Sequence, residues 1–588
     1  MTRATAARLL DRPALVCGLY VAVTIGMTWP LARGLTRDLP SDLGDPAFVA
    51  AMLTWGSHHW LDLLSGDGSA VWRFWNAPFF YPEPLVTAFS EHFALHSLLT
   101  LPLFAVTRNV ILCYNVLFLG TFALSGFGMY LFVRECTGRS LAAFVAGLAF
   151  AFAPYRIASL SHLQVLSSQW MPFALYGFRR YFSRVSAGRP GAVTSLAGAT
   201  AALWAQHLSS GYYMVFFGPF VAIYVLAEIA FARLYRSLKV WLQVGLAGGG
   251  AVLLTLPFAM PYLTVRKKYN TSLELHALTG YSADLLAWLT ASPLLDVWGH
   301  LQTFVRLEGV LFPGATIVVL TICGLWYGWS AVVRSEGSDQ GTQVAIVFGT
   351  IAIALSFWLS LGPQIQLRSQ PTGLLAIYQI PYKYVPGYDV ARVPARFAMI
   401  TALAMALVSG IALAALEQRR RWIVYVCGVL LLIEGAAFPF PRNGTWTTSP
   451  TVVSPPEARV YPESALPPLY AYLRSLDNAV IAHLPFGLPE REIQYVYYSA
   501  IHHRRIVNGY SGAFPPTYLI RLGDMQNVVR NPRAATVRMV NDGVTHLVIH
   551  SGAWSGTTGR ELVALFDRAN GFERVATFGT DVVYRLHY

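Results

Sequence analysis

The stretch VLFLGTFALSGFGMYLFVRECTGR (residues 116–139) decides the fold. No charge interrupts it until Arg134. A helix rises about 1.5 Å per residue and a bilayer core is roughly 30 Å thick, so a run of this length crosses the membrane. It ends on RECTGR (134–139), a basic cluster of the kind retained on the cytoplasmic side. Working outward, further apolar runs are centred near positions 23, 148, 172, 200, 222, 250, 320, 352, 406 and 430, giving about eleven spans in all. Basic clusters at RRYFSRVSAGR (179–189), RLYRSLK (233–239) and EQRRR (417–421) alternate with that count. They predict a cytoplasmic N-terminus and an external C-terminus.

Composition agrees. Of 588 residues, 55% are hydrophobic and 12% charged, and the mean hydropathy is +0.46, the profile of a polytopic membrane protein. The net charge of +13 lies in short clusters between apolar runs, where it sets topology; nucleic-acid binding is excluded as a function class. The five cysteines suggest neither a metal-ligand spacing nor a disulfide framework. Arg3, Arg8 and Arg12 precede an apolar run over 14–32, and TWPLA offers no small-residue cleavage site, so the run reads as a retained signal anchor. HSLLTLPLFAV (96–106) is short and contains Pro102; it predicts a juxtamembrane or re-entrant helix.

The reading divides the chain at residue 440. Residues 1–440 form a transmembrane domain with external loops at 34–91, 262–309 and 362–395; residues 441–588 form an external α/β domain after the linker TWTTSPTVVSPPE (445–457). In that tail PLYAYLRSL, REIQYVYYSAIHH, PRAATVRMVNDG and GRELVALFDRANG read as helices. AVIAHLPF, RRIVNGY, THLVIH, ERVATF and DVVYRL read as strands.

Candidate functional residues sit in the external segments. The first loop has seven acids against two bases and contains SDLGDPAF (41–48), with Asp42 and Asp45 around a glycine. Asp45 reads as a helix N-cap with Pro46 in the first turn, which leaves Asp42 unexplained. A helix lying on the outer face, anchored by Trp55 and Trp60, would hold both acids near the surface. The loop continues through FWNAPFFYPEP (74–84) to Glu91 and His92, groups that suit either a site for an amphipathic substrate or an interfacial aromatic belt. Arg266, Lys267 and Lys268 are basic on the outer face, and RVPARF places Arg392 and Arg396 at the outer end of a span, near Tyr382, Lys383 and Tyr384. Such groups bind lipid headgroups or clamp a phosphate. YRIASLSHLQ (155–164) puts Arg156, His162 and Gln164 in a short external connection, where His162 is either structural or functional. Acids within the spans are few, Glu228 and Glu434 among them, which counts against ion-coupled transport.

LGDP (43–46), the external loops and the external tail together resemble the GT-C superfamily of integral membrane glycosyltransferases. The series DP, FYPEP, SEH and RVPARF is also similar to bacterial membrane proteins of uncharacterised chemistry. The GT-C resemblance implies transfer of a sugar, with inversion, from a polyprenyl-phosphate donor to a glycan, lipid or protein acceptor on the outer face of the membrane, and the Ala- and Arg-rich style of the chain suggests a bacterial inner membrane. It implies that Asp42 or Asp45 acts as base, with Asp45 also able to hold a divalent ion, Mg or Mn. Arg392, Arg396, Lys267 and Lys268 would meet the phosphate. Glu91, His92, His162 and Lys383 would line the substrate pocket. The alternatives are a flippase or transporter of lipid-linked sugars without catalysis, and a scaffold whose tail binds cell-wall components.

Overall fold

The computed structural model describes residues 10–270, 273–334, 340–445, 453–454 and 456–587. Arg3, Arg8 and most of the linker at 445–457 lie outside the described residues. The chain divides into two compact units, one of residues 1–32, 118–258 and 272–440, the other of residues 33–117, 259–271 and 441–588.

A helix covers every one of the eleven apolar run centres. Among the described residues six helices are long and apolar enough to cross a membrane: Val110–Thr137, Ser140–Ala158, Gly211–Phe231, Leu238–Tyr269, Gln340–Ser360 and Pro394–Arg419. Pro13–Met27 and Ala315–Ser330 are shorter apolar helices. Of the eleven expected spans, six meet that length and composition among the described residues. Trp170–Ser186 carries Arg179, Arg180 and Arg184 among its apolar residues, and Arg421–Glu434 has only 14 residues, roughly 21 Å of helix. The protein is a multi-pass membrane protein by these helices.

In the first unit the core is Ala398–Arg419, buried continuously from Ala398 to Ala414. Its sequence AMITALAMALVSGIALA is dominated by small side chains, which let neighbouring helices approach closely. Ala315–Arg334, Gln340–Ser360 and Ser140–Ala151 pack around it. A Cβ on Gly324 would lie 2.3 Å from the Val408 carbonyl oxygen and one on Gly349 2.4 Å from Val408 Cγ2, so these glycines set the contact distance. The second and third loops are joined here. Strands β1 (Gln366–Leu367) and β2 (Gln370–Pro371) form a small antiparallel hairpin. Asp284 Oδ2 accepts the Ser369 N–H at 2.9 Å, and Arg306 Nη1 donates to Gln366 Oε1 at 2.7 Å.

The second unit is built on a five-stranded mixed sheet of β3 (Val480–Leu484), β4 (Arg505–Ile506), β5 (His546–His550), β6 (Phe572–Phe578) and β7 (Asp581–Leu586), in the order β4-β3-β5-β7-β6. β3 runs parallel to β4 and β5, while β7 is antiparallel to β5 and β6. The parallel strand β3 is buried along its length, as its VIAHL sequence requires. All five strands read from the sequence are present, as are the four helices, Pro468–Ser475, Pro489–His502, Pro532–Asn541 and Thr558–Arg568. One helix, Pro516–Met525, was absent from that reading. Three of these helices besides Pro516–Met525 open on proline, whose fixed φ suits the first helical position where no N–H bond is needed.

First-loop residues belong to this sheet unit. The Ile506 and Phe80 N–H groups donate to the Pro78 and Asn508 carbonyls at 2.7 and 2.9 Å, so the FYPEP segment extends the β4 edge. Helix Asp45–Leu64 packs on Pro489–His502. HSLLTLPLFAV forms parts of two short helices, Ala94–Leu99 and Leu101–Thr107, neither long enough to span a bilayer.

Candidate functional site

The candidate residues fall into both units. In the second, Asp42 and Asp45 stand half-buried at the start of helix Asp45–Leu64. Asp45 is not the cap: Gly44 is, and Asp45 is the first helical residue, followed by Pro46. Asp42 Oδ1 accepts the Gly44 N–H at 2.8 Å, and this local turn accounts for the acid that capping left unexplained. The segment before it is fixed by main-chain pairing, with the Ser41 N–H on the Pro441 carbonyl at 2.9 Å and the Leu43 N–H on the Gly444 carbonyl at 3.0 Å. Tyr510 Oη reaches Asp45 Oδ1 at 3.5 Å, and its ring meets that of Phe48 edge-on.

Glu83, from FYPEP, gathers a second group: Thr517 Oγ1 donates to it at 2.6 Å, Tyr269 Oη bonds to it, and Lys268 Nζ lies 3.8 Å away. Lys268 thus has an acid partner, while its neighbour Lys267 is exposed at the end of helix Leu238–Tyr269. His92 is buried, accepts the Ala94 N–H on Nδ1 at 3.0 Å and lies between the rings of Trp75 and Tyr262. Burial pushes its imidazole down to about 4, which keeps it neutral. Tyr262 Oη holds the backbone beside Glu91, donating to the Ser90 carbonyl at 2.7 Å.

In the first unit the arginines meet an acid that sequence reasoning missed. Arg396 Nη2 donates to Glu308 Oε1 at 2.9 Å, and its guanidinium lies 4.4 Å from the Tyr212 ring centroid. The Arg396 side chain is 5% exposed and that of Glu308 19%. Burial pushes the Glu308 carboxyl up, but Arg396, then His162 and Arg392, outweigh it and hold it below the ordinary range. Arg392 lies over the Tyr281 ring at 5.0 Å. Three of the sequence candidates, His162, Arg392 and Arg396, therefore act on one carboxylate. Lys383 does not join them in any recorded contact with Glu308; it is exposed, 5.2 Å from the Tyr384 ring centroid. The signal for Glu308 was its isolation, since RLEGVLFPG carries the only acid between Asp296 and Glu336.

Arg156 is fully buried, donating from Nη1 to Ser168 Oγ and from Nη2 to the Thr121 and Leu166 carbonyls at 2.8 to 3.0 Å. These bonds tie down the connection that carries His162. Among the described residues, no three His, Cys, Asp or Glu side chains are grouped to hold a metal ion.

Residues 69–434 match the family described as "Domain of unknown function (DUF6311)". None of the curated proteins matches the chain. Among solved structures, the chain is similar to the arabinofuranosyltransferase AftD from Mycobacteria, with 14% identity and a TM-score of 0.53 over 98% of this chain and 40% of that one. It is also similar to the archaeal oligosaccharyltransferase AglB from Archaeoglobus fulgidus in complex with an inhibitory peptide and a dolichol-phosphate. There the identity is 12% and the TM-score 0.51, over 100% of this chain and 75% of that one. The chain spans two fifths of the length of the arabinofuranosyltransferase. The expected GT-C fold is the one it has.

Proposed function

Since the chain belongs to the DUF6311 family and carries the GT-C fold, we propose that it is a glycosyltransferase using a polyprenyl-phosphate sugar. The sugar passes with inversion to a glycan, lipid or protein acceptor on the outer face of a bacterial plasma membrane. The observation that carries this reading is Arg396, a buried guanidinium at the end of a membrane-spanning helix, held by one hydrogen-bonded acid and one aromatic face.

The chemistry asks for little. A carboxylate, Asp45 or Asp42, takes the proton of the acceptor hydroxyl; that oxygen attacks the anomeric carbon as the bond to the phosphate oxygen breaks. The leaving group is polyprenyl phosphate, already stable as an anion, and Arg396 and Arg392 stabilise the charge that develops on it. Glu308 holds Arg396 in place between turnovers. In the second unit Glu91, His92 and Lys267 contribute to substrate binding while Lys268 stays with Glu83, and in the first His162 and Lys383 do so. No step is routed through a metal ion.

The test is incubation of the purified chain with labelled polyprenyl-phosphate sugar and an acceptor mixture, scoring free polyprenyl phosphate. Asp45→Asn should remain folded and release none. Full activity in both Asp45→Asn and Asp42→Asn would refute the base assignment. Movement of labelled lipid across a vesicle membrane without release of polyprenyl phosphate would mark a flippase instead.

A further inference from the structure

The second unit contains a cleft that the proposed reaction leaves unused. Its volume is about 320 Å³, and Arg37, Asp38, Arg442, Asn443 and Arg459 line it. Backbone pairing builds it: the Asn443 N–H donates to the Leu39 carbonyl, and the Leu39 N–H to Asn443 Oδ1, both at 2.9 Å. Asn115 Nδ2 pins the other side, donating to the Leu35 and Asp38 carbonyls at 2.8 Å.

Asp38 is 8% exposed. Its carboxylate accepts from Arg442 Nη1 at 2.7 Å and from Asn443 Nδ2 at 3.0 Å, with Arg37 Nε at 3.8 Å. A Cβ on Gly34 would come within 1.9 Å of Asp38 Oδ2, so the backbone closes against that acid. Asp38 thus orients the surrounding donors and offers no open site for a cation. The Arg459 guanidinium lies 4.8 Å from the Tyr461 ring centroid, which holds it beside the cleft. Two guanidinium groups, Arg37 and Arg442, contact the one acid and a third, Arg459, lines the same cleft, whose size matches the smaller ligand pockets, roughly 300 Å³ and upward.

We propose that this cleft is a binding site for a phosphate group, carried by a membrane lipid headgroup or by a water-soluble phosphorylated molecule. The preorganised arginine forks match phosphate oxygens in charge and geometry. This assignment stands independently of the glycosyl-transfer reaction, because Arg37, Arg442 and Arg459 take no part in it.

Isothermal titration of inorganic phosphate into the full chain in neutral detergent tests it, with the Arg442→Ala/Arg459→Ala double variant alongside. Wild type should show saturable binding that weakens with added salt. The double variant should bind at least about tenfold more weakly, given the strength of charge-assisted bonds. Arg459→Ala alone leaves the Asp38 contacts intact, guards against misfolding, and should weaken binding several-fold. Repeating the titration in nanodiscs separates the sources. Binding that persists in phosphatidylcholine discs but disappears in phosphatidylglycerol discs identifies a lipid headgroup, and binding that persists in both identifies a soluble phosphate. Absence of saturable binding, or equal affinity in wild type and both variants, overturns the proposal.

Discussion

Glu308 adopts a φ of +56°, an uncommon conformation for a residue with a side chain. Its environment explains why the position is maintained: the acid is the hydrogen-bonded partner of Arg396, whose side chain is almost wholly enclosed. Removing one member of such a pair leaves the other charge buried and uncompensated. Glu308→Gln should therefore destabilise the protein, and the partial exposure of Glu308 places the effect near the low end of the roughly 3–5 kcal/mol known for broken buried pairs. Thermal unfolding in detergent measures this, and an unchanged midpoint would contradict the pairing. The pH dependence has a definite sign. Because the folded carboxyl is held below its ordinary value of about 4.3, the pair contributes fully above that value. The contribution is lost as pH falls through the folded value, and Glu308→Gln should remove this part of the acid dependence. The pair was invisible in the sequence because 88 positions separate its members and no local pattern links them.

At the scale of elements, helix packing depends on glycines placed where two backbones meet. Gly324→Ala would drive a methyl group toward the Val408 carbonyl oxygen, a backbone atom with little freedom to move. It should cost about 1–3 kcal/mol. Gly198, in helix Ala192–Ser209, has nothing within 4 Å of its added Cβ. Gly198→Ala should be neutral or stabilising by up to about 1 kcal/mol through better helix propensity. Comparing the two unfolding midpoints checks the packing, and equal effects would argue against close approach at Gly324. Periodicity made the elements themselves legible. The short apolar runs in THLVIH and AVIAHLPF, bounded by polar or turn residues, mark buried strands. The short helix Pro516–Met525 is less legible, because PPTYLIRLGDM opens on two prolines that read as a turn and has a glycine near its end.

Across the second unit, burial of histidines sets the response to acid. Burial pushes His92 down to about 4 and His96, His502 and His503 each to about 3. An unfolded chain protonates these side chains near about 6.5, so as pH falls below that value the unfolded state gains protons that the folded state refuses. Glu492 works in the opposite direction. Burial raises it to about 7 against the Gly487 and Gly509 N–H donors, so its contribution declines as pH rises from about 4.3 toward 7. Four histidines outweigh one carboxyl, and unfolding followed by tryptophan fluorescence should show stability falling steadily from about pH 6.5 toward 4. A flat profile across that range would show that the imidazoles are accessible to water.

The sequence alone determined the membrane character, the position of the apolar helices and the α/β character of the tail. Each of these follows from local composition and periodicity, which act on a segment before it meets its neighbours. Tertiary structure alone decided that residues 33–117, which include the first loop at 34–91, share a compact unit with the tail, and that His162, Arg392 and Arg396 act on Glu308. It also decided that Asp38 holds Arg442 and Arg37 in a cleft that Arg459 lines too. Those outcomes depend on which distant segments exclude water together, and long-range burial and pairing leave no periodic trace along the chain.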